Sequence, residues 1–315
     1  MTVLIEAGSI EDRLTWSGVA DAIEAGHQRP RAEIADVLMQ RKDDSYLSRS
    51  AHIDGLGFAT KSVTVVPANP GRGLPAIHGA MMVFDDVEGR MEAVLDSALV
   101  TRWKTAADSV LGARILARPE ARKLLVLGAG AVAGDLVRAY VEVFPALEDI
   151  ELWNRTPGRA DALVAELAGE GIKVAICEDL PKSASQSDIV AAATMASEPI
   201  IRGDWITPGT HVDLVGAFTP HMREADDVLM AKACVFVDSR ETTLNHIGEL
   251  MVPISNGAIS EDDVVADLYD LAAGQGGRRS PEEITLFKNG GGAHLDLMTA
   301  RYIMKQADLQ DLQKE

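Results

Sequence analysis

The sequence predicts an α/β protein in which a doubly wound parallel sheet is joined to a second, α+β region. Three observations predict it. The apolar run Leu124 to Leu127 enters Gly128-Ala-Gly130-Ala-Val-Ala133-Gly134, and Asp135-Leu-Val-Arg-Ala-Tyr-Val continues at helical spacing, giving strand, tight turn and helix. Beyond that point apolar strand-like runs alternate with helical stretches as far as Asp238, the signature of parallel βαβ units. Before it, between about residues 45 and 95, short strand-like runs follow one another with only turns between them, which indicates a separate antiparallel or mixed sheet. At 315 residues the chain can bury two cores, and 47% hydrophobic with 4% aromatic residues makes those cores aliphatic, as a helix-covered sheet requires.

In order, Thr15 to His27 reads as an amphipathic helix with Trp16, Val19, Ala20 and Ile23 on one face. Strands are expected over Ser45–Ile53, Phe58–Val66, Ala76–Phe84 and Arg90–Leu95. Asp54-Gly55, Asn69-Pro-Gly71 and Asp85-Asp-Val-Glu-Gly89 supply the turns. A helix over Thr105–Ala117 leads through Arg118-Pro119-Glu120 to the glycine-bearing strand. Helices near 131–143 and 157–170 then interleave with strands at 149–153, 173–177, 188–193 and 211–216. A helix from about Glu224 precedes Cys234-Val-Phe-Val-Asp238, read as the last core strand. Helical stretches are expected at 240–250 and 261–273, with a final helix opening at Gly290-Gly-Gly292.

The glycine turn carries chemistry because of what flanks it. Gly128 permits the turn, Gly130 lets the backbone approach a pyrophosphate, and Ala133 allows close helix–strand packing. The helix N-terminus, at Ala131 and Val132, offers amide donors to phosphate. These features predict a Rossmann dinucleotide-binding domain. The next strand ends where an adenosine ribose should lie, and its tip decides which cofactor is preferred. Enzymes using NAD place a carboxylate there; this chain has Asn154-Arg155-Thr156, a guanidinium and a hydroxyl suited to a 2′-phosphate. NADP(H) is therefore expected as the preferred cofactor, with NAD(H) possible. The same residues also suit a helix start, with Thr156 as cap and Pro157 in the first turn.

A net charge of −18 argues against nucleic acid or an anionic membrane as partner. The N-terminal residues Met1-Thr-Val-Leu-Ile-Glu6 lack the apolar run of a signal peptide, and no run approaches a membrane span, so a cytoplasmic protein is expected. Cys177 and Cys234 lie in apolar strand-like runs and are expected to be buried free thiols. His78, His211, His221, His246 and His294 have no metal-ligand spacing, so no metal is expected.

Several blocks together resemble the ornithine cyclodeaminase/μ-crystallin family. They are Lys61-Ser-Val-Thr-Val-Val-Pro67, Thr101-Arg-Trp-Lys-Thr-Ala-Ala107, the glycine turn, Trp153-Asn-Arg-Thr156, Val215-Gly-Ala-Phe-Thr-Pro-His-Met-Arg-Glu224, Val237-Asp-Ser-Arg240 and Leu286-Phe-Lys-Asn-Gly-Gly-Gly-Ala-His-Leu-Asp296. They occur in the family's order over nearly the whole chain. The resemblance implies a homodimer whose subunit has a Rossmann domain, residues 113–294. Residues 1–112 with 295–315 would form a domain for substrate binding and dimerisation. It also implies chemistry on amino acids or their imines.

By the same resemblance, Lys61 falls on the family's active-site lysine. A lysine ammonium there could hold a substrate carboxylate or give a proton to an imine nitrogen as hydride arrives. Arg49, on the neighbouring strand, is a candidate carboxylate clamp, with Arg31 and Arg102 as alternatives. Thr105 matches a threonine near nicotinamide and phosphates. Thr194 and Met195 fall on the nicotinamide side, and Val215 and Gly216 belong to the cofactor-binding set. Asp296 is expected to orient the start of the last helix.

Two departures from the family pattern narrow the reading. Lys104 stands where the family usually has a carboxylate-gripping arginine, which keeps the charge and loses the fork. Phe218 stands where ornithine cyclodeaminases and alanine dehydrogenases place a catalytic aspartate. The ketimine-reducing branch also lacks that aspartate. The expected activity is therefore NADPH-dependent reduction of a cyclic ketimine carboxylate such as Δ1-pyrroline- or Δ1-piperideine-2-carboxylate. Ornithine cyclodeaminase, or a catalytically silent ligand-binding protein, are the alternatives.

Overall fold

In a computed structural model that describes residues 2–311, the chain forms two units, Met1–Lys104 with Gly292–Glu315, and Thr105–Gly291. The first begins with β1 (Val3–Ile5) and α1 (Trp16–His27), the latter capped by Thr15, whose hydroxyl accepts from the Gly18 amide at 3.1 Å. β2 (Glu33–Arg41), β3 (Asp44–Ile53), β4 (Gly57–Val65), β5 (Ile77–Phe84) and β6 (Met91–Asp96) follow, and β6 runs straight into α2 (Ser97–Leu116). Four of these strands form where the alternation places them. β1 and β2 were not expected from the sequence, and α2 begins eight residues before the expected Thr105, taking its first two turns from what read as a connection.

The six strands make one mixed sheet in the order β1-β6-β5-β4-β3-β2, with β1 and β6 parallel and the other pairs antiparallel. Gly57, Ala59 and Lys61 of β4 are buried on one face. The change of unit falls inside α2, earlier than the suggested boundary at 112. Trp103 stacks on Trp16 of the first unit at 4.0 Å, whereas the Thr105 carbonyl accepts from Asn289 of the second at 2.9 Å.

The second unit runs through β7 (Lys123–Leu127), α3 (Ala131–Val143), β8 (Asp149–Trp153), α4 (Pro157–Gly169), β9 (Ala175–Ile176), α5 (Leu180–Gln186) and β10 (Ile189–Ala192). It continues through β11 (His211–Leu214), α6 (Asp227–Lys232), β12 (Cys234–Val237), α7 (Arg240–Thr243), α8 (Gly248–Ser255), β13 (Val264–Ala266), α9 (Leu268–Ala272) and β14 (Thr285–Lys288). α10 (Ala293–Asp311) belongs again to the first unit, where it packs on β2, β3, β4 and α1. The eight strands are parallel in the order β13-β12-β14-β11-β10-β7-β8-β9. This is the Rossmann arrangement, with the order reversing between β7 and β10.

Four expectations for this unit are corrected. Cys234–Val237 is not the last core strand, because β14 inserts between β12 and β11, its four residues all buried. The stretch 240–250 is two short helices, broken before Gly248, whose packing against Pro220 and Met222 carbonyls leaves no room for a Cβ. The stretch 261–273 holds β13 between a 3-10 turn and α9, because Asp267 caps α9 and ends the preceding backbone in extended form. Cys177 is buried. Cys234 is only half-buried, its thiol held between Glu283 and Arg279.

Candidate active site

The second unit presents a glycine turn and an open helix start. β7 delivers Gly128 at φ +119°, where a Cβ would lie 2.4 Å from the Ala193 carbonyl, so only glycine fits. Gly130 caps α3 in extended conformation, and a Cβ built on it meets nothing within 4 Å. Gly130, Ala131 and Val132 are exposed, so the first amides of a 13-residue helix open onto free space. These amides could hold a pyrophosphate. At the tip of β8 the Asn154 side-chain amide donates to the Thr156 carbonyl at 2.8 Å, shaping the turn that displays Arg155 and Thr156 to solvent. Thr156 does serve as N-cap of α4, though its hydroxyl accepts no capping bond from the helix amides.

On the other side of β7, the loops after β10 and β11 carry Thr194, Met195, Val215 and Gly216. Met195 is 77% exposed, so it is no core filler. Phe218 projects with 59% exposure from the following loop. Beneath these loops lies a buried charged cluster that the sequence reading missed: Glu224, Glu249, Asp238 and Lys288. The Lys288 ammonium donates to the Leu214 and Asn289 carbonyls at 2.8 and 2.5 Å, and burial pulls it below its usual range against the pull of the carboxylates. Burial and the adjacent Glu249 push Glu224 up to about 8. Asp213 accepts from Ser109 and Tyr140 inside the core, each at 3.1 Å, and burial raises it to about 7.

The first unit assembles a cationic cluster. Strand register puts Asp36, Arg49, Lys61 and Met81 in one row across β2, β3, β4 and β5. The Arg49 guanidinium bonds its row neighbour Asp36 at 2.8 Å, so a clamp made by Arg49 is already oriented by a carboxylate. Lys61 is buried and bonds two acceptors, Asp296 Oδ1 at 2.8 Å and Thr101 Oγ1 at 3.1 Å. An ammonium has three protons, so one donor direction remains for a ligand. Burial lowers the Lys61 pKa, Asp296 opposes that, and the charges of Lys104 and Arg49 add to the lowering. Lys104 is buried too. His294, two residues before Asp296 in the first turn of α10, packs edge-on to His27 at 5.5 Å; burial, with His27, Lys104, Arg49 and Arg31, holds it well below the usual histidine range.

The structure thus brings Lys61, Arg49 and Lys104 into one electrostatic neighbourhood. Arg102 bonds Glu11 at 3.0 Å, and Arg31, though exposed, adds its charge to the same neighbourhood at His294. Asp296 holds Lys61 directly instead of serving only the helix start. No group of three or more potential metal ligands occurs among the described residues.

A model of the ornithine cyclodeaminase/mu-crystallin family matches residues 5–310. The chain belongs to this family. It is 54% identical over 299 residues to Delta(1)-pyrroline-2-carboxylate reductase of Paracoccus denitrificans, covering 95% of each protein. It is 32% identical over 246 residues to ketimine reductase mu-crystallin of Mus musculus, covering 78% of this chain and 75% of that one. Among solved structures, Thermococcus litoralis Delta(1)-pyrroline-2-carboxylate reductase, in complex with NADH and L-proline, superposes with a TM-score of 0.91 at 27% identity, covering 98% of both chains.

Proposed function

We propose that this protein is an NADPH-dependent reductase of cyclic ketimine carboxylates, the five-membered Δ1-pyrroline-2-carboxylate and the six-membered Δ1-piperideine-2-carboxylate. At the broader level it is an NAD(P)-dependent oxidoreductase acting on C=N bonds, in keeping with its 54% identical relative. The observation that carries the reading is the buried Lys61 ammonium, aimed by Asp296 and Thr101 with one proton unassigned.

When bound, the nicotinamide cofactor supplies a hydride to the imine carbon. Gly128, Gly130, Ala131 and Val132 would hold its pyrophosphate, Asn154, Arg155 and Thr156 its ribose and 2′-phosphate, and Thr105, Thr194, Met195, Val215 and Gly216 its remaining length. Arg49 and Lys104 grip the substrate carboxylate and so fix which face of the ring is presented. Lys61 gives its third proton to the ring nitrogen as the carbon–nitrogen double bond becomes single, and Asp296 stabilises the ammonium before transfer. Imine, hydride and proton sum to the cyclic secondary amino acid. A carboxylate at the Phe218 position, to activate water, is unnecessary for this chemistry.

The reading extends to a homodimer working in a reducing cytoplasm, supported by two free thiols and by Val37, Leu38, Met39 and Ile77, large apolar residues left exposed on β2 and β5. No helix among the described residues is long and apolar enough to cross a membrane. The test is NADPH and NADH oxidation with each imine, run beside ornithine plus NAD. Consumption of NADPH in preference to NADH, yielding proline or pipecolate, supports the reading. Ammonia release from ornithine without net cofactor use overturns it in favour of cyclodeamination. Cofactor binding without turnover on any imine overturns it in favour of a silent ligand-binding protein.

A further inference from the structure

In a sheet with this strand order, a dinucleotide straddles the reversal between β7 and β10. Its adenosine half lies toward β8, where Asn154 and Arg155 stand, so its nicotinamide half must run over the ends of β10 and β11. Those two ends are joined through one side chain. The ladder continues to the Val215 amide, which donates to the Ala192 carbonyl at 2.8 Å. The next donors, the Thr194 and Gly216 amides, leave the ladder and converge on the Glu224 carboxylate. Thr194 N and Oγ1 donate to Oε1 at 2.7 and 2.8 Å, and Gly216 N donates to Oε2 at 2.6 Å. The approach is so close that a Cβ on Gly216 would lie 2.1 Å from the Thr194 carbonyl.

Glu224 is itself immobilised. Its amide donates to Glu249 Oε2 at 2.8 Å, and its carbonyl accepts from Ile200 and Ile201 at 2.9 and 2.8 Å. It is fully buried and cannot touch a ligand. We infer that Glu224 is a positioning residue for the nicotinamide half of the cofactor, acting through the two strand-end loops that its carboxylate ties together. The inference rests on the nicotinamide-cofactor part of the proposed function and deepens it. A carboxyl group suits the task because its two oxygens accept three bonds between them, which an amide of that size, with a single oxygen, does not reproduce. Glutamine keeps the shape and sets an NH2 group against one of the two amides.

The experiment measures binding of NADPH and of 2′-phospho-ADP-ribose, the same molecule without nicotinamide, by fluorescence and calorimetry in the absence of imine. In Glu224→Gln the NADPH Kd rises about 10-fold or more, while that of the fragment changes less than 2-fold. Pre-steady-state hydride transfer slows, and the imine KM is unchanged. Equal weakening of both nucleotides would overturn the inference, since it would mark general loosening of the domain. So would unchanged binding of both. If Glu224→Gln does not fold, Thr194→Val removes one arm and leaves the backbone bonds. Its effect is then expected on NADPH and not on the fragment, Thr194→Ser restores it, and no effect on NADPH sinks the inference. Because binding is read without imine, the outcome is independent of which imine is reduced. Failure to bind either nucleotide in the unaltered protein would overturn both this inference and the functional reading.

Discussion

Lys61 and Asp296, 235 residues apart in sequence, form a buried ion pair of 2.8 Å between β4 and the first turn of α10. The pair sets the protonation of the proposed acid. Burial, Lys104 and Arg49 all favour the neutral amine, and Asp296 opposes them. Asp296→Asn removes the opposing charge and lets the Lys61 pKa fall further. The limb of the pH–rate profile on which activity is lost with rising pH then moves to lower pH, and activity at pH 8 drops about 10- to 100-fold. A profile that keeps its shape and only falls in height would contradict this.

Lys104 is expected to act on substrate affinity. Lys104→Ala raises the imine KM about 10- to 100-fold, the scale of a lost charge-assisted bond, and leaves the NADPH Kd unchanged. It also removes one of the charges that lower Lys61, so the alkaline limb shifts upward. Steady-state kinetics across pH check both effects.

Arg155 should govern the choice of cofactor. Arg155→Ala raises the KM for NADPH about 10- to 100-fold and alters the KM for NADH by less than 3-fold, as loss of a phosphate-paired guanidinium requires. Comparable losses for both nucleotides would mean that Arg155 serves only the start of α4.

His211 makes a prediction about stability. It is fully buried in β11 with Nδ1 2.9 Å from Thr285 Oγ1; that hydroxyl donates to the Leu116 carbonyl, so the imidazole is the donor between them. Burial first, and the Arg278 charge second, lower its pKa to about 3. The unfolded chain binds a proton below about 6.5 that the folded chain refuses until about 3. The stability present above pH 6.5 is therefore lost as pH falls, by about 1.4 kcal/mol per unit for this group. His211→Asn should flatten that slope in urea titrations between pH 6 and 4, while lowering stability at pH 7.

How much of this was legible in the sequence depends on what each residue signals locally. The glycine turn, β7, β8, α3 and α4 were readable because strand, turn and helix periodicities switch over within a few residues. β2 was not: it is an edge strand exposed along nearly its whole length, so Glu33 to Arg41 shows no alternation. β14 was hidden by its own chemistry, because a four-residue strand ending in a lysine reads as surface, yet Lys288 is fully buried among carboxylates. Lys61 and Lys104 could be singled out by the family resemblance. The roles of Asp296 and Glu224 could not, since each depends on partners brought together by tertiary folding, 235 residues away in one case and 30 and 8 in the other. The local hint of Glu224 was an acidic residue eight positions after the strand-end glycine, Gly216.

The most direct measurement compares Lys61→Ala with the unaltered protein in NADPH oxidation driven by Δ1-pyrroline-2-carboxylate, with NADPH binding measured in parallel. Loss of about 10²- to 10⁴-fold in kcat at an unchanged NADPH Kd, with proline as the product of the unaltered protein, is the predicted result. Equal turnover by the two proteins would contradict it and remove Lys61 from the reaction.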